Sequence, residues 1–400
     1  MFPDELRYDW GGLHVRMARF YIPECPALRL LARCGCGLLL TGVPVQNNPY
    51  YSAGDLPLKT PNFDSLARQG VRFTKAVVPA PVCAPSRACL ASGREYDPAG
   101  QGSNGNSVAP IRDGTFDVGE IATFYQALQR QGYWTMVTGR DDLTKRTGPG
   151  LHGQYHTAAL GFNDSARCGG SVDATWGECG GTDNGAVPCA GIFANESSRH
   201  ATIHEPYGAY LATQPVPPAV AQRYNVSNYF ELDFSRYAEL DKRGGYDSVH
   251  WYAIPDTLPF EQFAYQDDWI GRQALALLHR APPNVPWFLE VSHQAPHPPM
   301  DITPEMERNM SGRAHGWPAA YACALPPHWN PNSSTNPAAA SANQLCAASS
   351  VQRLRHNYAA KIERLDSLLG EYWAAISARG GTERARTLLR LSHYMYSDGY

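Results

Sequence analysis

The feature that most constrains the fold is a repeated order of punctuation: a helix start, an apolar stripe, a glycine stop, then a short β-rich run. Thr60 suits an N-cap and Pro61 a first helical position. Phe63, Leu66 and Ala67 form a stripe that Gly70 ends, and residues 71–78 alternate like a strand. Asp117 is placed to cap a second helix, with Ile121, Phe124, Tyr125 and Leu128 on one face, a stop at Gly132 and a strand over 133–138. A third helix over 260–280 turns Trp269, Ile270, Ala274, Leu277 and Leu278 inward and precedes a short buried strand at 287–291. Helix and strand in alternation imply an α/β fold on a parallel sheet. The His- and Pro-rich loop at 292–299 then leaves the C-terminal end of a strand, where open α/β sheets bind ligands.

The longest predicted helix covers 351–378, with Leu354, Tyr358, Ile362, Leu365, Leu368, Leu369, Tyr372 and Ile376 on its apolar face. Gly380-Gly381 stops it, and 387–391 reads as one more strand. Residues 148–242 are rich in Gly, Pro, Asn and Cys with little periodicity, and are expected to form long excursions from the sheet. Residues 1–54 are irregular, with only 37–43 resembling a strand, so the chain divides into an irregular segment, 1–54, and one domain, 55–400.

Composition removes several classes of function. With 43 % apolar residues the chain folds rather than remaining disordered, and a net charge of −3 gives no electrostatic case for nucleic acid. No apolar run approaches the roughly 18–20 residues that a membrane-spanning helix needs. The ten cysteines show no zinc-type spacing; those at 168, 179 and 189 and the pair at 323 and 346 sit in loop-like sequence, as disulfide staples do. Five sequons, at Asn163, Asn195, Asn225, Asn309 and Asn332, also point to a secretory route, extracellular or lysosome-like. No clear signal peptide accompanies them, because Arg29, Arg33, Gly35 and Gly37 interrupt residues 27–43.

The most informative segment is residues 79–94, PAPVCAPSRACLASGR. Cys83 follows a predicted strand, Pro85 and Ser86 open a short helix, and Arg87 follows directly. A thiol at a helix N-terminus beside a cation has a lowered pKa and an anion-binding backbone; a structural Cys on a tight turn is the plainer alternative. A cysteine-phosphatase loop is excluded, since it needs Arg six positions after the nucleophile and residue 89 is Cys.

The string resembles the sulfatase signature, with Cys83, Pro85, Ser86, Arg87, Leu90, Ser92, Gly93 and Arg94 in its fixed places. The lead-in at 59–73, Gly132-Tyr133-Trp134-Thr135, Gly161-Phe162 and Pro296-His297-Pro298-Pro299 follow in the family's order, so the likeness runs from about residue 58 through the long helix. It implies an alkaline-phosphatase-like α/β fold, a mostly parallel sheet flanked by helices, and hydrolysis of aryl or carbohydrate sulfate esters. It also implies that Cys83 is oxidised to formylglycine by the formylglycine-generating enzyme. The hydrated aldehyde attacks sulfur, and its second hydroxyl then expels sulfate, an exit that a plain Ser or Cys lacks. On this likeness Cys83 is the nucleophile precursor, Arg87 supports it, and His297 contacts sulfate or protonates the leaving oxygen.

Two departures accompany the likeness. Where relatives carry G-K-x-H, this chain has Gly139-Arg140-Asp141-Asp142; Arg140 keeps a sulfate-binding charge, and Lys145 is a candidate second cation. The family's divalent cation, calcium or magnesium, needs oxygen ligands. No Asp pair follows residues 37–43, and Asp398 in Tyr396-Ser397-Asp398-Gly399 is the one candidate ligand. The chain is therefore expected to be an incomplete catalytic domain. A catalytically impaired sulfatase-like protein, or a phosphodiesterase or phosphonate hydrolase on the same fold, are the alternatives.

Overall fold

A computed structural model describes residues 58–69, 83–94, 121–139, 157–167, 206–233, 256–296, 301–312 and 348–379. Helix α1 (Pro61–Gln69) forms at the expected start and buries Phe63 and Ala67. Its first-turn N–H groups are satisfied from a distance. Asp366 accepts from the backbone N–H of Phe63 at 2.7 Å and of Asn62 at 3.2 Å, and from Asn62 Nδ2 at 2.9 Å. Lys59 N–H donates to Glu363 Oε1 at 2.8 Å. Burial pushes the Asp366 carboxyl above its ordinary range, against the pull of these donors.

Helix α2 (Cys83–Ser92) carries the signature, and α3 (Phe124–Arg130) leads into strand β1 (Trp134–Gly139). The α3 start differs from the sequence expectation. Thr123 is the N-cap, because its hydroxyl accepts from Gln126 N–H while the Gln126 side chain accepts from Thr123 N–H. This reciprocal capping box fixes the first turn and leaves Ile121 buried ahead of the helix rather than on its face. The expected stop is observed: Gly132, at φ +82°, takes the left-handed turn that separates α3 from β1.

The described parts of 148–242 contain regular elements. These are α4 (Thr157–Leu160), β2 (Asp164–Arg167), α5 (Pro206–Thr213) and α6 (Pro218–Tyr224). Gly161, with φ +103°, explains why Gly-Phe stands between α4 and β2. A Cβ there would lie 2.3 Å from the Gln126 backbone nitrogen, so only glycine lets this turn sit on α3. Asn163 then extends the strand pairing: its N–H donates to the Thr135 carbonyl at 2.8 Å and its Oδ1 accepts from Thr135 N–H at 3.0 Å.

The C-terminal part contains β3 (Asp256–Thr257), α7 (Gln266–Arg280), β4 (Trp287–Ser292), β5 (Asp301–Ile302), α8 (Pro304–Met310) and α9 (Ala348–Ala378). One 3₁₀ turn over Gln262–Ala264 precedes α7, so that helix starts later than residue 260. The main sheet has the order β2-β1-β4 and is parallel throughout; β3 and β5 form a separate parallel pair.

Successive β1 side chains enter different cores, as a strand's period of two requires. Met136 packs with Leu277 and Ala281, while Val137 packs with Ala88, Cys89 and Ala91 of α2 and Tyr125 of α3. The sheet is thus covered on both faces, which is why its central strand reads as a nearly continuous buried run. A larger core joins α1, α7 and α9, burying Trp269, Ile270 and Ala274 with Tyr358, Ile362 and Leu365. The expected strands at 71–78 and 387–391, the glycine stops at 70 and 380, and the loop cysteines lie outside the described residues.

Candidate active site

The parallel register brings the C-terminal ends of β1 and β4 side by side. Gly139 is the register partner of Ser292. Gly139 has φ +84°, and a Cβ on it would stand 1.9 Å from the Ser292 carbonyl oxygen. Two constraints therefore require glycine: a left-handed backbone, and strand ends too close for any side chain. In sequence, Arg140 directly follows β1, and His297 follows β4 by five residues.

Helix α2 reaches the same edge. Cys83 is its first residue, and Arg87, one turn on, is 3 % exposed. Its Nη1 donates to Ser292 Oγ at 3.1 Å, and Ser292 Oγ in turn donates to Glu290 Oε1 at 3.2 Å. A guanidinium stays charged even when buried, so this edge of the sheet carries a fixed positive charge in the helix that Cys83 opens. Of the predicted site residues, Arg87 is brought to the sheet edge, and Cys83 is the first residue of the helix that carries it. Arg140, Lys145, His297 and Asp398 lie outside the described residues.

The residues following β4 are held by a network that sequence reading misses. His293, Gln294 and Ala295 are all buried, and the Ala295–Pro296 bond is cis. Asp267, in the first turn of α7, accepts from Gln294 N–H at 2.8 Å and from Ala295 N–H at 3.1 Å. It also contacts His293 Nδ1 at 3.0 Å. The other ring nitrogen, Nε2, lies 2.9 Å from the Tyr372 hydroxyl on α9, with the two rings stacked at 20°. An ionised Asp267 has no proton to give, so His293 Nδ1–H donates to it and Nε2 accepts from Tyr372.

Charge follows the same geometry. Burial pushes Asp267 up, but the His293 hydrogen bond, the nearby Lys361 and the Ala295 N–H outweigh it, and the carboxyl lies below its usual range. Burial, then the negative charges of Asp267, Glu371 and Asp268, drive the Tyr372 hydroxyl well above its usual value. A depressed folded-state value means that Asp267 contributes its full stabilisation above the unfolded pKa, about 4, and loses it as pH falls through the folded value. The stability gap between wild type and Asp267→Asn, measured by urea unfolding, is therefore expected to be constant near neutrality and to shrink below about pH 4. A gap independent of pH down to about pH 3 would contradict an ionised Asp267.

The family profile described as Sulfatase matches residues 46–383. The chain belongs to the sulfatase family. The chain is 39 % identical to human (Homo sapiens) arylsulfatase D over 89 residues, which are 22 % of this chain and 15 % of that protein. It is 36 % identical to arylsulfatase A of Bos taurus over 104 residues, 26 % of this chain and 19 % of that one. These matches span under a fifth of either curated relative. Among solved structures, a phosphonate monoester hydrolase of Agrobacterium radiobacter is similar at TM-score 0.46 and 19 % identity, over 82 % of this chain and 56 % of that one. Family membership carries the alkaline-phosphatase-like α/β fold with it, and the parallel β2-β1-β4 sheet with helices on both faces agrees. Among the described residues, no helix is long and apolar enough to cross a membrane.

Proposed function

We propose that the chain hydrolyses sulfate monoesters, aryl or carbohydrate, with Cys83 as the precursor of a formylglycine nucleophile. The observation that supports this most is the meeting of α2 with β4. Arg87, one turn into the helix that Cys83 opens, bonds Ser292 at the end of the strand that His297 follows. Formylglycine supplies a hydrated-aldehyde oxygen as the nucleophile toward sulfur. The chain's own residues bind the ester and move its protons. The α2 N-terminus and Arg87 favour an anion at that edge, since helix dipole and guanidinium have the same sign there. Arg140 offers a planar fork that can take two sulfate oxygens, and Lys145 a second positive charge. His297 donates a proton to the leaving oxygen as the S–O bond breaks.

A divalent cation, calcium or magnesium, belongs to the same reading, with Asp398 as a ligand. Among the described residues no group of three or more His, Cys, Asp or Glu side chains could hold a metal ion, and the steps above use only side chains of the protein. Maturation in the secretory pathway, with the formylglycine-generating enzyme as a transient partner, fits the sequons. Asn225, for one, is exposed in a left-handed turn after α6, an open position for a glycan.

Peptide mass measurement on protein secreted from a eukaryotic host tests the reading, because Cys-to-formylglycine conversion removes about 18 Da. Converted Cys83 together with faster hydrolysis of a chromogenic aryl sulfate than of a phosphodiester is the expected result. An unmodified thiol throughout overturns the nucleophile, and the reverse substrate preference favours a phosphodiesterase or phosphonate hydrolase.

A further inference from the structure

The Asp267–His293–Tyr372 network adjoins the proposed site and has no place in the steps above. Its three members come from three elements: the first turn of α7, the residue after β4, and the C-terminal half of α9. All are buried, His293 completely. An aspartate spent on two consecutive backbone N–H groups and one imidazole does more than fill a core. It fixes the path of the chain immediately after β4, and Tyr372 fixes the plane of the imidazole from the other side.

We propose that Asp267, His293 and Tyr372 are positioning residues for ester cleavage, setting Ser292 against Arg87 on one side and the start of the His297 segment on the other. The inference rests on the sulfatase reading for the reaction it serves. The clamp itself stands on geometry alone. Ser292 and His293 are adjacent, so a rotation of the backbone after β4 moves the hydroxyl that accepts from Arg87 Nη1 at 3.1 Å. Pro296 closes the described loop, so the same rotation changes the direction in which the chain leaves toward position 297 in the sequence. Lys361, also on α9 and 1 % exposed, adds positive charge beside Asp267 and keeps the carboxylate ionised as an acceptor.

A positioning role predicts an effect that depends on the leaving group. Proton donation matters little when the leaving oxygen is a stable anion and much when it is not. Tyr372→Phe removes one hydroxyl and keeps the ring. It is expected to lower kcat on unsubstituted phenyl sulfate by about tenfold or more, and on 4-nitrophenyl sulfate by less than about threefold, with KM little changed on both. Asp267→Asn is expected to show the same split more strongly and to speed hydrogen exchange at the Gln294 and Ala295 amides by about tenfold or more. Equal losses on the two esters, or none, overturn the positioning role, and unchanged amide exchange overturns the clamp. A wild-type chain with converted Cys83 that hydrolyses neither ester sinks the sulfatase reading, while amide exchange still decides the clamp. Tyr372→Phe answers alone if Asp267→Asn does not fold.

Discussion

Cys83→Ser is expected to abolish aryl sulfate turnover, with kcat falling by about 10³ or more while the protein still folds. A serine offers one hydroxyl where a hydrated aldehyde offers two, and the second is the group that expels sulfate. The substitution is also small: Cys83 is the first residue of α2, so serine suits the helix start as well as cysteine does. Unfolding by urea is therefore expected to match wild type within about 0.5 kcal/mol. Turnover by Cys83→Ser within about tenfold of wild type would remove formylglycine from the mechanism. A collapse of stability would instead mark Cys83 as a structural residue.

Gly139→Ala is the expected extreme in stability. The alanine Cβ would need the space of the Ser292 carbonyl, 1.9 Å away, on a backbone at φ +84°. Left-handed geometry alone costs about 1–2 kcal/mol for a residue with a Cβ. Separating β1 from β4 adds the loss of packing at the sheet's C-terminal edge, for a total of about 4 kcal/mol. Equilibrium unfolding measures the sum. A loss below about 1 kcal/mol would mean that the two strand ends are not in contact. Activity should fall along with stability, because Ser292 is also Arg87's partner.

The layers of the fold are legible in the sequence where local signals and burial agree. Trp269, Ile270, Ala274, Leu277 and Leu278 on α7, and the stripe from Tyr358 to Ile376 on α9, are buried as their spacing predicts. The start of α3 is harder to place because Asp117 and Thr123 are both good caps, and only the reciprocal bond with Gln126 decides between them. Strand β2 is hidden because DSAR has no β-branched residue; it forms because Asn163 and β1 supply its pairing.

For the site, the signature exposes Cys83 and Arg87, since helix-start chemistry is local. The clamp stays hidden because its parts are far apart in sequence. Asp267 looks like an ordinary acidic residue in a helix's first turn, and Tyr372 like one more apolar position. A signal is present nonetheless. Asp267 stands three residues before Ile270 and seven before Ala274, and Lys361 three after Tyr358, so both charges fall within buried stripes. A charge in register with the core needs a partner.

Asp366 caps α1 across 303 residues, which makes the beginning of the described fold dependent on its last helix. At about 5–20 residues per second, a ribosome takes on the order of 15–60 s to deliver α9 after α1 has been made. Throughout that interval α1 lacks both its cap and the core it packs on. The first described helix is thus among the last to be secured, its cap arriving only when synthesis reaches residue 366.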